Sequence, residues 1–124
     1  MDKSELESYE VLDLGMLSES SMGDADFEQQ LIEVFMSTAP NLITDYELAV
    51  REDRWNDAHR AVHSLKGCCR ALGMTRLGMV CETVETWSKT DRASTEPFSP
   101  EDLRTELGIT VGVLRTSRRG SASR

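Results

Sequence analysis

One of the two histidines in the chain stands among basic and small residues that suit phosphoryl chemistry. His63 is followed by Lys66, Gly67 and Arg70 within residues 58–81, a stretch that has four basic residues and no carboxylate. An imidazole has an ordinary pKa of about 6.5, so much of it is neutral and nucleophilic near neutral pH. A nearby lysine would neutralise the charge of a phosphoryl group attached to the ring. These residue types favour His63 as a phosphoryl acceptor and Lys66 as its electrostatic partner.

The apolar spacing around His63 predicts a helix from about Asn56 to Leu72, with Gly73 as its C-cap. An arc about 120° wide is expected to face the core. It contains Ala58, Ala61, Val62, Leu65, Cys68, Cys69 and Leu72. His63 lies roughly 160° from the centre of this arc, so we expect its ring to face solvent. Residues three or four positions apart lie on the same side of a helix, so four neighbours of His63 are expected on this solvent-facing side: His59, Lys66, Gly67 and Arg70.

Gly67 lies in the interior of this predicted helix, where glycine destabilises the helix. Gly67 in a helix interior is less stable than alanine by about 1 kcal/mol. Because it follows His63 by one turn, it would leave that side of the ring free of steric cover. An exposed imidazole with an open flank and nearby cations is an arrangement that a phosphoryl donor can approach.

Helical spacing continues along most of the chain. A short first helix is expected around Leu14 and Leu17, and Asp24 is a plausible N-cap for a long second helix. The face of that helix is expected to contain Phe27, Leu31, Val34, Phe35, Thr38, Leu42, Tyr46 and Ala49. Its apolar phase continues across Pro40, which favours a kink in one helix over the start of another.

Two more helices complete the predicted fold. One runs from about Thr75 to Ser88, with Leu77, Val80, Cys81, Val84 and Trp87 on one face; the other starts at Ser99 and contains Leu103, Leu107, Val111 and Leu114. We therefore predict an all-α fold, an antiparallel up-down four-helix bundle with short additional terminal helices. Residues 1–114 are expected to form a single domain, and residues 115–124 a basic, disordered tail.

Composition excludes several classes of function. The 124 residues carry a net charge of −8, which argues against nucleic-acid binding. No apolar run reaches the roughly 20 residues of a membrane helix, and the N-terminus lacks the basic segment of a secretory signal. Three cysteines, Cys68, Cys69 and Cys81, do not form a disulfide framework, so we expect a reducing, cytoplasmic location.

No enzyme motif accompanies the histidine. Gly73 and Gly78 have the spacing of a phosphate-loop pair, but Met79 stands where that loop requires lysine. Without a nucleotide site the chain is expected not to be an enzyme, and it must take phosphate from a partner. A zinc site is a further alternative, since His59 and His63 are four residues apart. We expect no metal site, because no third or fourth ligand is evident nearby.

The segment from Ala61 to Gly73, AVHSLKGCCRALG, resembles the signature of histidine-containing phosphotransfer (HPt) domains. That family has a histidine, an apolar residue two positions on, lysine three on, glycine four on, and a closing Leu-Gly. The helix before this segment and the helix after it also resemble the family, so the likeness covers about residues 11–89.

The resemblance implies a phosphorelay. His63 would accept a phosphoryl group from the aspartate of a receiver domain and pass it to the receiver of another response regulator, with a hybrid sensor histidine kinase upstream. The receiver would bring Mg²⁺, so no cofactor is expected in this chain, which we expect to be a monomer. Lys66 would stabilise the phosphate, and Gly67 would give the receiver's aspartate room. A polar residue of the facing helix, Glu85 or Lys89, would lie near the histidine.

Three residues depart from the family pattern, which usually has Ser or Ala where Cys68, Cys69 and Arg70 stand. The cysteines are expected to be packing residues. Arg70 is expected either to help bind phosphate or partner, or to restrict which receivers fit, and His59 is a candidate interface residue. The alternative function is a helical docking or adaptor module that binds a receiver or kinase without phosphotransfer. In either case we expect a shallow apolar patch on the first helices beside His63, and a solvent-facing Lys66.

Overall fold

Helices make up most of the chain that the structure describes. This computed structural model describes the backbone of residues 1–122 and the side chains of residues 1–117. A 3₁₀-helix at Lys3–Ser8 is followed by α1 (Leu14–Ser20), α2 (Ala25–Arg51), α3 (Trp55–Leu72), α4 (Thr75–Thr90) and α5 (Pro100–Ala122). Residues 1–122 contain no strand. The predicted all-α fold is confirmed.

Four long helices pack as a bundle. Helix α3 contacts α2 on one side and α4 on the other, and α5 closes the bundle against α2 and α4. Connections of only a few residues join α2 to α3 and α3 to α4, so these neighbours run antiparallel. The short helix α1 packs on α2 and α3. The core lies between the four long helices.

The predicted helix starts correspond to observed caps. The Asp24 side chain accepts hydrogen bonds from the backbone N–H groups of Asp26 and Phe27, which begins α2. At the start of α5, the Asp102 carboxylate accepts from the backbone N–H of Ser99 at 2.8 Å, and the Ser99 hydroxyl accepts from the backbone N–H of Asp102 at 3.1 Å. Helix α2 is continuous through Pro40, as the unbroken apolar phase predicts.

Gly73 ends α3 as predicted and also lets α1 approach. Its φ is +74°, a left-handed conformation that favours glycine. A Cβ at this position would lie 2.3 Å from the carbonyl oxygen of Asp13. The backbone N–H of Asp13 donates to the carbonyl of Gly73 at 2.7 Å, which holds the start of α1 against the end of α3. This glycine therefore sets both the α3–α4 turn and the position of α1.

The buried face of α2 differs from the predicted one. Val34, expected in the core, is 61% exposed. The residues of α2 that are buried are Ile32, Phe35, Ala39, Ile43, Tyr46 and Ala49. Steps of three and four residues fit more than one adjacent stripe on a long helix. Because α2 packs against both α3 and α5, the contact with two neighbours selects the stripe.

A buried ion pair joins α4 to α5. Arg76 donates two hydrogen bonds to the carboxylate of Glu106, at 2.8 and 2.9 Å, and the two side chains are 10% and 4% exposed. Beside Glu106 on the buried face of α5 lie Leu103, Thr110 and Leu114, whereas Leu107 and Val111 are only half-buried. The predicted apolar stripe of α5 is thus partly replaced by a polar contact with α4.

Helix α5 continues beyond the predicted end of the bundle. Residues 115–124 were expected to be disordered, but the backbone of residues 115–122 is helical. The helical hydrogen bonding of α5 thus continues past Leu114, and the separate tail at residues 115–124 stays a prediction. Residues 123 and 124 lie outside the described part of the chain, and the domain boundary at residue 114 stays a prediction.

Candidate functional site

His63 projects from the solvent-facing side of α3. Its side chain is 62% exposed. The predicted core stripe of the same helix is buried, apart from Cys68, which is half-buried. A hydrogen bond with Cys81, together with burial, raises the pKa of Cys69, as expected for a packed, neutral thiol. The predicted helical phase is confirmed, because exposure and burial alternate around α3 as the apolar spacing requires.

Glu85 of α4 is the residue that the fold places against His63. Its Oε2 lies 2.5 Å from Nδ1 of the His63 ring. Helices α3 and α4 form a hairpin centred near Met74, with His63 eleven residues before that centre and Glu85 eleven residues after it. Residues at equal distances from the turn of an antiparallel hairpin face one another. The turn position therefore carries the signal that selects Glu85 over Lys89.

Lys66 is not solvent-facing, contrary to the prediction. Its side chain is only 15% exposed, and its Nζ donates to Oε1 of Glu85 at 2.5 Å. The reason is that a long lysine side chain can lie along the apolar surface between helices while its ammonium reaches a partner. One carboxylate thus contacts the ring of His63 and the ammonium of Lys66.

The environment of Glu85 favours its charged form. Burial alone would raise the pKa of this carboxyl, but the hydrogen bonds from Lys66 and His63, and the positive charge of Lys66, outweigh burial and hold the pKa below its usual value. An ionised carboxylate only accepts hydrogen bonds. Nδ1 of His63 is therefore the protonated nitrogen of the neutral ring, and Nε2 keeps the lone pair. The geometry leaves an exposed imidazole with a nucleophilic Nε2.

His59 lies beside His63 on α3. The two rings stack with their centroids 5.9 Å apart and an interplanar angle of 26°. Nε2 of His59 is 3.6 Å from Oε2 of Glu85, which is too long for a hydrogen bond, and its buried Nδ1 has no partner. One ligand atom from each of His59, His63 and Glu85 lies within 4.8 Å of the others. The expectation that no third metal ligand lies near the two histidines is therefore wrong, because α4 supplies one.

The other predicted site residues occupy different positions. A Cβ on Gly67 would meet no atom within 4 Å, so the flank of α3 one turn after His63 is open. Arg70 pairs with Glu82 at 2.8 Å, and both side chains are about half exposed. Lys89 is exposed in the last turn of α4, one turn beyond Glu85, and makes no ion pair within the described part of the chain. The fold brings Glu85 to His63 and leaves Lys89 and Arg70 outside that contact.

Ion pairs, three of them between helices, neutralise the basic stretch of residues 58–81. Each of its four basic residues contacts a carboxylate from outside the stretch. The pairs are Arg60–Asp57, Lys66–Glu85, Arg70–Glu82 and Arg76–Glu106. The local positive field that the sequence suggests is thus largely balanced in the folded chain.

Comparison with known proteins agrees with this geometry. The model of the family described as "Hpt domain" matches residues 30–116. The chain belongs to the Hpt domain family. It is similar to the phosphorelay intermediate protein YPD1 of Candida albicans (strain SC5314), with 26% identity over 104 residues. That alignment covers 82% of this chain and 55% of the relative, so this chain spans about half the length of the curated protein that it matches. No solved structure matches.

The family match covers most of the helical bundle. The matched residues include all of α3 and α4, so His63, Lys66 and Glu85 lie inside the family region. Within the described residues, no helix is both long enough and apolar enough to cross a bilayer.

Proposed function

We propose that this chain is a histidine phosphotransfer protein that carries a phosphoryl group on His63 between receiver domains. One observation carries the proposal: an exposed histidine has its Nδ1 held by a buried carboxylate, in a chain that matches the Hpt family over residues 30–116. The similarity to a phosphorelay intermediate protein supports the same function.

In the proposed step, the lone pair on Nε2 of His63 attacks the phosphorus of an aspartyl phosphate on the receiver. The N–P bond forms, the P–O bond to the aspartate breaks, and the aspartate leaves as a free carboxylate. The ring keeps its Nδ1 proton and becomes a phosphoimidazolium, whose positive charge is stabilised by Glu85 at 2.5 Å. The reverse step, on a second receiver, regenerates neutral His63.

Lys66 and Gly67 have the supporting roles in this proposal. The ammonium of Lys66 is within one helical turn of His63, so it can turn from Glu85 towards a new phosphate. The open flank at Gly67 gives the receiver's aspartate access to the ring. Arg70, His59 and Lys89 are proposed to contact the partner rather than the reacting atoms.

The chain is proposed to be a carrier and not an enzyme of its own. A receiver would supply Mg²⁺, so the transfer requires no cofactor from this chain. A hybrid sensor histidine kinase is proposed as the upstream source of phosphate, and the carrier is proposed to work as a monomer. The three free cysteines support a reducing, cytoplasmic location.

Exposed apolar side chains near the first helices supply a candidate docking surface for the receiver. They are Leu14, Met16, Met22 and Val34, which are between 39% and 82% exposed. Helix α1 is tied to the end of α3 by hydrogen bonds from Asp13 to Gly73 and from Ser20 to Ala71. These bonds hold α1, with Leu14 and Met16, beside the C-terminal end of α3.

The test is incubation of the full chain with a receiver domain that carries radiolabelled aspartyl phosphate. We expect label to appear on the chain as acid-labile phosphate, and to be lost in His63→Gln. The matched control is His59→Gln, which removes the other imidazole of α3 and should still be labelled. If the chain binds phosphorylated receivers but none transfers label, it is a docking module and the proposal is wrong. Label that remains in His63→Gln would also contradict it.

A further inference from the structure

We propose that His59, His63 and Glu85 form an open three-ligand site for a divalent transition-metal ion of the Zn²⁺ type, and that a bound ion prevents phosphorylation of His63. The metal site stands on its own geometry; its inhibitory consequence rests on the proposed function. The two parts are separable by experiment.

The positions of the ligand atoms fit a metal with a small adjustment. Tetrahedral zinc with bonds of about 2.0–2.1 Å holds its ligand atoms roughly 3.3 Å apart. Nε2 of His59 is 3.6 Å from Oε2 of Glu85, and Nδ1 of His63 is 2.5 Å from the same oxygen. To admit the ion, the separation of Nδ1 of His63 from this oxygen would widen by roughly 0.8 Å. The ligand nitrogens of the two rings, which lie within 4.8 Å of each other, would settle at about the same zinc ligand spacing.

The donor set selects the class of metal. Two imidazoles and one carboxylate are the ligands of three-coordinate protein sites for zinc and related transition metals, with water in the open position. Mg²⁺ and Ca²⁺ prefer oxygen ligands, so this set does not suit the magnesium that a receiver would carry. Histidines four residues apart on one helix face the same side, and α4 supplies the third ligand from across the hairpin.

Neighbouring groups leave ligand atoms of His59 and Glu85 available to bind an ion. His59 makes no hydrogen bond through either ring nitrogen among the described residues, so a metal would give its Nε2 a partner. Glu85 is oriented by the ammonium of Lys66 on Oε1, which leaves Oε2 directed at the two rings. Lys66 also places a positive charge near the ion, which would weaken its binding.

An ion at this site would remove the nucleophile whichever nitrogen of His63 it takes. Bound to Nε2, it occupies the lone pair that would attack phosphorus. Bound to Nδ1, it displaces the proton from that nitrogen, and the neutral ring then carries its proton on Nε2. Metal binding and phosphorylation at His63 are therefore mutually exclusive.

The first experiment is calorimetric titration of Zn²⁺ into the full chain, with Cys68→Ser in every variant so that the one half-buried thiol does not contribute. We expect saturable binding of one ion per chain. His59→Gln and Glu85→Gln should each weaken binding at least about tenfold. Glu82→Gln, which removes the same charge from the same helix one turn away, should bind as the parent does. Absence of saturable binding would overturn the proposed site. So would binding by His59→Gln and Glu85→Gln that is as tight as binding by the parent.

The second experiment tests the consequence without a receiver. Phosphoramidate, a small phosphoryl donor, is used to label His63 with and without saturating Zn²⁺, and each variant is compared with its own zinc-free rate. We expect zinc to slow labelling of the parent at least about tenfold, and to slow His59→Gln less at the same zinc concentration. Equal slowing of both would overturn the mutual exclusion. A chain that is never labelled, even without zinc, would fail the proposed function, while the calorimetry would still decide the metal site.

Discussion

Oε2 of Glu85 lies 2.5 Å from Nδ1 of His63, and Oε1 of the same carboxylate lies 2.5 Å from Nζ of Lys66. The proposed nucleophile and the proposed phosphate-binding cation thus share one anion. Before transfer, Glu85 holds the histidine in the tautomer that leaves Nε2 unprotonated. After transfer, Lys66 has two anionic partners available, the carboxylate and the new phosphate. This arrangement makes Glu85 the group on which orientation and charge balance at the site both depend.

Replacing Glu85 with glutamine should slow phosphoryl transfer to His63 by at least roughly tenfold, because an amide neither fixes the Nδ1–H tautomer as firmly nor stabilises the phosphoimidazolium. The measurement is the single-turnover rate from a phosphorylated receiver, with circular dichroism to confirm the fold. Glu82→Gln is the matched control and should transfer at nearly the wild-type rate. If Glu85→Gln transferred as fast as Glu82→Gln, the carboxylate would have no part in the chemistry.

Replacing Lys66 with alanine should affect both transfer and stability, because its side chain is largely buried and paired. The loss of a hydrogen bond to a charged group predicts a decrease in the free energy of unfolding of about 1–3 kcal/mol. Urea unfolding would measure this, and the receiver assay would show slower transfer. The half-exposed ion pair Arg70–Glu82 offers a comparison, because Arg70→Ala should change the free energy of unfolding by less than about 1 kcal/mol. Equal stability of Lys66→Ala and wild type would contradict the buried contact.

Gly67 gives a test of the direction from which the receiver approaches. Gly67→Ala should fold and gain up to about 1 kcal/mol of stability, since an added Cβ meets no atom within 4 Å and alanine favours the helix. Gly67→Phe should fold as well but block transfer from a receiver by steric hindrance. Labelling by phosphoramidate should survive in Gly67→Phe, because that donor is small. Unhindered transfer from the receiver to Gly67→Phe would show that the partner approaches over another side of α3.

The lowered pKa of Glu85 predicts a sign for the dependence of stability on pH. Burial alone would raise this pKa, but Lys66 and His63 lower it below the ordinary value of 4.5. The stabilisation from ionised Glu85 is therefore fully present above that ordinary value, and is lost as the pH falls through the lower pKa of the folded state.

The measurement for this prediction is urea unfolding of wild type and Glu85→Gln at a series of pH values. The difference in unfolding free energy should be constant just above pH 4.5 and decrease as the pH falls below it. In the wild type, the ion pair of Glu82 with Arg70 is screened by solvent. The unfolding free energy of Glu82→Gln should therefore differ from that of the wild type by less at every pH. A difference for Glu85→Gln that grew towards low pH would have the wrong sign.

The site on α3 was largely predictable, because helical phase is a local property. The apolar residues of α3 recur every three or four positions, and this repeat alone directs His63 away from the core. The stop at Gly73 was predictable for a similar reason, since a glycine after the last apolar residue supplies the left-handed cap. On α2 the same reasoning failed for Val34, because two neighbouring helices rather than one determine which stripe is buried.

The helices, the outward direction of His63 and the open flank at Gly67 can be read from the sequence, since each follows from residues within one helix. The contact of Glu85 with the ring, the burial of Lys66 against Glu85, and the three-ligand cluster with His59 depend on how the helices pack. Those contacts join α3 to α4 across the hairpin, and the register of two packed helices depends on the turn and the core between them. The charge of the basic stretch follows the same pattern: Asp57 pairs with Arg60 within α3, whereas the carboxylates that pair with Lys66, Arg70 and Arg76 come from other helices.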